Sequence, residues 1–348
     1  MQKIKNLSKR LASVVLAAAL VAGAAPSVSA HAAQSLVPMG TAVGIELKTP
    51  GVIVVGLENL GTADRPSSPA RSAGVLPGDL IVKLGETPVS SAEEFLKAVS
   101  QLGGAQIPLT VLRGEKQLQL TVKPLDTENG PKLGLCVRDS VTGVGTMTFF
   151  DPRSGLFGAL GHPINDADTN VIMPLGSGSI MNATVVGVHQ GIAGKPGELC
   201  GVFDLKHPTG SILSNGFAGI FGTVGAGALQ PSHEALPVAD EDEIKVGAAT
   251  ILCSVSGKTV EEYGVEITRL YHNDPDGRCL MLKVTDEKLL GITGGIVQGM
   301  SGSPILQGGK LVGAVTHVLV NDPTRGYGIF ISAMLEQGET ALAKERAA

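Results

Sequence analysis

A chain of 348 residues with 43% hydrophobic content is long enough for two domains and apolar enough to give each a core, so an intrinsically disordered protein is excluded. Aromatic residues make up only 3% while glycine supplies 47 positions, so the cores must be filled by Val, Ile, Leu and Ala in a turn-rich, mainly β chain. The net charge is −5, and the first thirty residues hold Lys3, Lys5, Lys9 and Arg10 without an acid, so the body is more acidic still and nucleic acid is excluded as a partner.

Residues 1–32 read as an export signal or membrane-targeting segment. A basic start precedes an apolar run from Leu11 to Ala25 and small residues in "PSVSAHAA", with cleavage expected after Ala30 or Ala32. Fifteen apolar residues fall short of the roughly 20 needed to span a bilayer. An exported, extracytoplasmic chain follows, in which Cys136, Cys200, Cys253 and Cys279 are far apart and lack a C-x-x-C pair. Buried thiols are the favoured reading of these four, with one or two disulfides as the alternative.

From Val43 to Lys123 the pattern is strand, strand, loop, helix, hairpin. "VGIEL" and "GVIVVGL" are β-like, and "GTADRPSSPARS" is a polar, Pro-rich loop. "AGVLPGDLIVKLGETPV" is two strands bent at turns. In "SSAEEFLKAVSQL" Ser91 and Glu94 form a capping box, and Phe95, Leu96, Val99 and Leu102 a stripe, which predicts a helix. "QIPLTVLR" and "KQLQLTVKP" close the unit as a hairpin across Arg113-Gly114.

With Ala73, Gly74, Gly78, Asp79 and Ile81 in an "AG-x-x-x-GD-x-I" run ahead of that helix, residues 36–125 resemble a PDZ domain. The resemblance implies a loop at Met39, Gly40, Thr41 and Ala42 that takes a peptide carboxylate, with the peptide, or an inhibitor segment, lying between Val43–Leu47 and the helix. The polar stretch "LDTENGPK" marks a boundary, and residues 126–348 form the second domain. There, short apolar stretches separated by glycines, such as "GLFGALGH", "ATVVGVHQGIAG" and "KLVGAVTHVLV", are numerous enough for two packed six-stranded barrels.

Two serines stand in the glycine-rich knot Gly299-Met300-Ser301-Gly302-Ser303-Pro304. A serine is a nucleophile only beside a base and oxyanion donors, and is otherwise a turn residue. Of the seven histidines, His162 ends an apolar strand in "GALGHPI", where a barrel side chain points into a cleft, whereas His189 and His317 lie within strands and read as core or surface residues. No H-E-x-x-H or G-x-x-x-x-G-K-[ST] occurs, so no metal and no cofactor is expected.

"GALGHPI", "GTMTFFDP" and "TGGIVQGMSGSPILQGGKLVGAVTHVLVNDPTRGYGI", preceded by a PDZ-like unit, resemble the stage IV sporulation protein B family of serine peptidases of endospore formers, over nearly the whole chain from residue 36. The resemblance implies a chymotrypsin-like double β-barrel. Ser301 would be the nucleophile, His162 the base, and the amides of Gly299 and Ser301 the oxyanion hole. Asp286 in "LKVTDEKLL" would be the orienting carboxylate, with Asp204 and Asp166 as alternatives and helix capping as its other reading. Ser303 competes with Ser301 but precedes the restricting Pro304. It further implies an exported endopeptidase between the mother-cell and forespore membranes. There it would cleave itself and the extracytoplasmic part of a membrane-bound regulatory complex, and so lead to activation of the late sigma factor. The alternative is a catalytically inactive PDZ scaffold on a peptidase-like fold.

Overall fold

The computed structural model describes residues 34–61, 67–225, 227–272, 274 and 277–348, and the expected signal segment at 1–32 lies outside them. Residues Ser35–Ala348 form one compact unit, mainly β. No helix among the described residues is long and apolar enough to cross a membrane.

A 16-residue strand, Ala42–Leu57, organises the first half of the molecule. Its C-terminal part pairs with Leu80–Leu84, which continues through Ile107–Arg113 to Lys116–Val122. The helix Ala92–Ser100 packs on this sheet by burying Phe95 and Val99, and Ser91 caps it by accepting from the Glu94 amide. Leu96, expected in the apolar stripe, is 61% exposed instead. Asp79 is buried and takes a two-pronged ion pair from Arg113, which ties the Gly78-Asp79 turn to the hairpin.

The N-terminal part of Ala42–Leu57 leaves this sheet and closes a barrel. It pairs on one side with Leu135–Phe150 and on the other with Ser177–His189. Leu156–Ala159, Gly219–Val224 and Gly210–Gly216 complete the ring of six. The second barrel is also closed and six-stranded, formed by Gly247–Ser256, Thr259–Leu270, Leu280–Val284, Asp322–Phe330, Lys310–Leu319 and Pro304–Gln307. The closing helix Ile331–Ala347 leaves the second barrel and returns to the first. There Gln337 accepts from the Ala218 amide, and Gly338 lies so close to Phe221 that a Cβ would come within 2.9 Å of its ring. Phe149, Phe157 and Phe221 are fully buried, each contributing about 1.5–3 kcal/mol.

The unit at 36–125 shares its first strands with the barrel, since Leu36 pairs with Leu236 and Val37 with Phe150, and residues 42–48 are barrel strand. This corrects the expected carboxylate loop, part of which the barrel uses. The Met39 and Gly40 amides donate to the Thr148 and Met147 carbonyls, and a Cβ on Gly40 would lie 2.7 Å from Leu252. Val43 is paired on both edges, with Gly145 and Asn182. The amides of Met39 and Gly40 and both edges at Val43 are therefore used in closing the barrel and are not open to a peptide, whereas Thr41 and Ala42 line a surface pocket beside Asn182. The place beside the helix is taken by Leu135–Asp139 instead. Leu135 and Val137 pack on the core of Phe95 and Val99, and the Asp139 carboxylate accepts from the Ala92 amide.

Among the cysteines, Cys253 and Cys279 are buried and Cys136 and Cys200 half-buried, all four unpaired. Burial pushes the Cys253 thiol up to about 12, which makes it inert.

Candidate active site

The two barrels meet over a cavity of about 550 Å3 whose lining includes His162, His317, Gly299, Ser301 and Thr316. Its apolar wall comes from both barrels, with Leu160 and Ile45 on one side and Ile296 and Val297 on the other.

His162 reaches it through a strained turn. Leu160 has φ +70° and Gly161 φ +72°, and the Gly161 amide donates to Ala159 at 2.9 Å, a positive-φ γ-turn that few residues adopt. The Leu160 side chain is held against Gly145, where a Cβ would clash at 2.2 Å. His162 Nδ1 lies 2.8 Å from the Pro163 carbonyl, which can only accept, so Nδ1 carries the proton and Nε2 keeps its lone pair. Desolvation lowers the His162 pKa below 6.5, partly offset by that carbonyl.

On the opposite side, Gly302 has φ +96° and no room for a Cβ, which would lie 2.0 Å from the Thr146 carbonyl. Ser301 is half-buried, whereas Ser303 is fully buried with its hydroxyl donated back to Met300 at 2.7 Å. The competitor is therefore a structural serine. The Met300, Gly302 and Ser303 amides donate to Val297, Val315 and Met300 carbonyls, and no hydrogen bond from the Gly299 or Ser301 amide occurs among the described residues. The Gln298 carbonyl accepts from Leu199 at 2.8 Å, and across a trans peptide the Gly299 N–H must face the opposite way. Gly299 and Ser301 both line the cavity, and two unbonded amides there would suit an oxyanion.

Thr146, which sequence reading passed over, joins the two sides. Its amide donates to Ser301, its hydroxyl donates to the Gly299 carbonyl at 2.7 Å, and its carbonyl accepts from Leu160 in the histidine turn. His317 was also missed as a site residue. Its ring lies 4.8 Å from that of His162, centroid to centroid, and its pKa is pushed down to about 4, first by desolvation and then by His162 and Arg278. A register shift between Val315 and His317 breaks the strand alternation on which its assignment depended.

Ser301 and His162 share the cavity but are not bonded to each other here. The Ser301 hydroxyl donates instead to the Thr316 carbonyl at 2.6 Å. Asp286 is the N-cap of the helix Glu287–Thr293, accepting from Leu289 at 2.9 Å and from Gly264 at 3.4 Å. Asp166 is buried with Arg138 and the Thr169 amide, and Asp204 is exposed beside His207. None of the three is the hydrogen-bond partner of His162, whose Nδ1 is occupied by Pro163. Asparagine caps as well as aspartate, so Asp286→Asn is expected to retain both melting temperature and activity, and Asp286→Ala to lose about 1 kcal/mol of stability. A loss of several orders of magnitude in kcat for Asp286→Asn at unchanged melting temperature would return Asp286 to the catalytic set.

The SpoIVB peptidase S55 profile matches residues 129–335, and a PDZ domain profile matches residues 42–123. The chain belongs to the SpoIVB peptidase S55 family. This SpoIVB-family chain is similar to the putative serine protease HhoA of Synechocystis sp. (strain ATCC 27184 / PCC 6803 / Kazusa), with 37% identity over 65 residues. The match spans 18% of this chain and about a sixth (16%) of the length of that curated relative. Among solved structures, the active form of the Rv3671c protease from M. tuberculosis aligns with 14% identity over 58% of this chain and 74% of that one, at a TM-score of 0.33. The PDZ domain of an SdrC-like protein from Listeria monocytogenes aligns with 22% identity over 26% and 90%, at 0.22.

Proposed function

We propose that this SpoIVB-family protein is an exported serine endopeptidase that cuts itself and the extracytoplasmic part of a membrane-bound regulatory complex, in the space between mother-cell and forespore membranes, and so triggers late sigma-factor activation. The observation that carries the reading is the meeting of Ser301, His162 and the Gly299 and Ser301 amides on one cavity between two barrels. Ser301 Oγ rotates off Thr316, gives its proton to His162 Nε2 and bonds to the scissile carbonyl carbon. The electron pair of that carbonyl moves to its oxygen, held by the two amides. The oxyanion then collapses, the C–N bond breaks, and the imidazolium protonates the departing amine. Water, activated by the same Nε2, releases the acyl group and restores the serine.

The base must be neutral, and desolvation lowers the pKa of His162, so it stays neutral further into acid than a free imidazole. The acid limb of kcat/KM is therefore expected to have its midpoint below pH 6.5 with a plateau at neutrality. A midpoint above 6.5 in a pH-rate profile would exclude His162, in this environment, as the base.

The inactive scaffold is favoured by one observation, the bond of Ser301 to Thr316 in place of His162. The two readings part in Ser301→Ala, tested for self-cleavage and target cleavage in purified protein and for complementation of a deletion strain. The peptidase reading requires cleavage and complementation to be lost together, whereas a scaffold complements as well as wild type.

A peptide or inhibitor segment partner for the PDZ unit would lie along Leu135–Asp139, whose outer edge carries no strand among the described residues, against the helix face of Ala92 and exposed Leu96. Leu96→Asp is expected to weaken such binding at least tenfold by fluorescence anisotropy while leaving hydrolysis of a short peptide unchanged. Unchanged anisotropy would remove this groove.

A further inference from the structure

Beyond its barrel pairing, the C-terminal half of Ser177–His189 pairs antiparallel with Glu198–Phe203. His189 stands directly opposite Glu198, and Gly187 opposite Cys200. Alternation puts these four residues on one face of the ribbon. Three of the four corners carry an imidazole, a carboxylate and a thiol. The fourth is a glycine, whose missing Cβ would have only the Cys200 Cβ, at 3.9 Å, as a neighbour, so space is open above the thiol.

His189 Nδ1 lies 2.9 Å from Glu198 Oε1 and 3.9 Å from Cys200 Sγ, and one ligand atom from each residue falls within 4.8 Å of the others. In a tetrahedral zinc shell with bonds of about 2.0–2.3 Å, donor atoms stand roughly 3.4 Å apart. The three donors bracket that spacing, and side-chain rotation of the exposed histidine and glutamate closes the difference. A thiolate, an imidazole and a carboxylate suit a borderline-soft divalent ion, and solvent above Gly187 supplies a fourth ligand.

We propose that His189, Glu198 and Cys200 form a site for a divalent zinc-type cation, separate from the catalytic cavity. Its position gives it a consequence. The Glu198–Phe203 strand touches the serine loop at its other edge, where Leu199 donates to the Gln298 carbonyl and Gln298 donates to Gly197. An ion holding Glu198 and Cys200 to His189 fixes the strand that aims the Gly299 amide.

The test uses the full purified chain, reduced, stripped with chelator and freed of it, titrated with zinc chloride and with cobalt chloride. One equivalent of zinc is expected, with a thiolate-to-cobalt charge-transfer band in the near ultraviolet. His189→Ala and Cys200→Ser are each expected to weaken binding at least tenfold, whereas Cys136→Ser and His207→Ala leave it unchanged. These are half-buried or exposed positions, and circular dichroism verifies the fold. Zinc is also expected to raise the melting temperature of wild type and not of the His189→Ala/Cys200→Ser double variant. Absence of a stoichiometric ion or of the cobalt band, or binding undiminished in the double variant, would overturn the site and leave a cross-strand His–Glu pair. None of these readouts depends on peptidase activity.

Discussion

Replacing Ser301 with alanine is expected to lower kcat for peptide hydrolysis by about 10^4–10^6-fold, with the melting temperature changed by no more than a degree or two. The hydroxyl lost makes one hydrogen bond, to the Thr316 carbonyl, at the cavity wall, so little stability goes with it. The remaining machinery, Gly299 and Ser301 amides included, still binds the substrate carbonyl and can polarise it toward water, and so KM is expected to stay within a few fold. His162→Ala is expected to produce a loss of similar size, and the double variant no further loss, since the two groups act on one proton. Steady-state kinetics on a peptide substrate, paired with thermal denaturation, measures both quantities. Activity within tenfold of wild type in Ser301→Ala would move the nucleophile elsewhere.

The second large effect is structural. Gly302→Ala places a methyl group 2.0 Å from the Thr146 carbonyl oxygen and 2.5 Å from the Leu160 nitrogen, at a φ of +96° that an alanine rarely adopts. Both neighbours are backbone, so neither can swing aside. Thr146 is the residue from which the serine loop and the histidine turn are both hung, so any adjustment disturbs both catalytic groups at once. A cost of at least about 3 kcal/mol is expected, seen as a fall of around 10 °C in melting temperature, together with loss of activity. A wild-type melting temperature and wild-type kcat for Gly302→Ala would show that the loop does not pack as described.

Comparison of the two glycines of the serine turn explains why this part was legible in the sequence. Gly299 and Gly302 both have positive φ, and a run of glycines around a serine before a proline has few other uses once a histidine ends a strand upstream. His162 was legible for the same reason, since Gly161 and Pro163 flank it. The residues that were not legible act through their backbone or through a break in periodicity. Thr146 looks like any strand threonine, because two of its three bonds are main-chain. His317 sits past a register shift that alternation does not foresee.

The PDZ-like unit shows the limit of a pattern argument. "VGIEL" followed by "GVIVVGL" suits a hairpin with a free edge, and it suits equally a single bent strand that passes from one sheet into a barrel. Only the long-range pairing of residues 42–48 with 140–146 and 177–182 decides between them, and such pairing leaves no trace in local composition. Asp286 is a milder case. The family resemblance carried the catalytic expectation, while "TDEK" equally described a helix cap, and the cap is the contact found. The His189–Glu198–Cys200 group was hidden for a related reason, since ligands drawn from two strands have no fixed spacing along the chain.

The most direct test of the central claim is a mass measurement. Purified chain is incubated with a serine-directed phosphonate, and the intact protein and its proteolytic fragments are weighed. One adduct per chain, on Ser301, is expected, absent from Ser301→Ala and strongly slowed in His162→Ala. An adduct on another residue, or none from a folded chain that still cleaves its target, would contradict the pairing of Ser301 with His162.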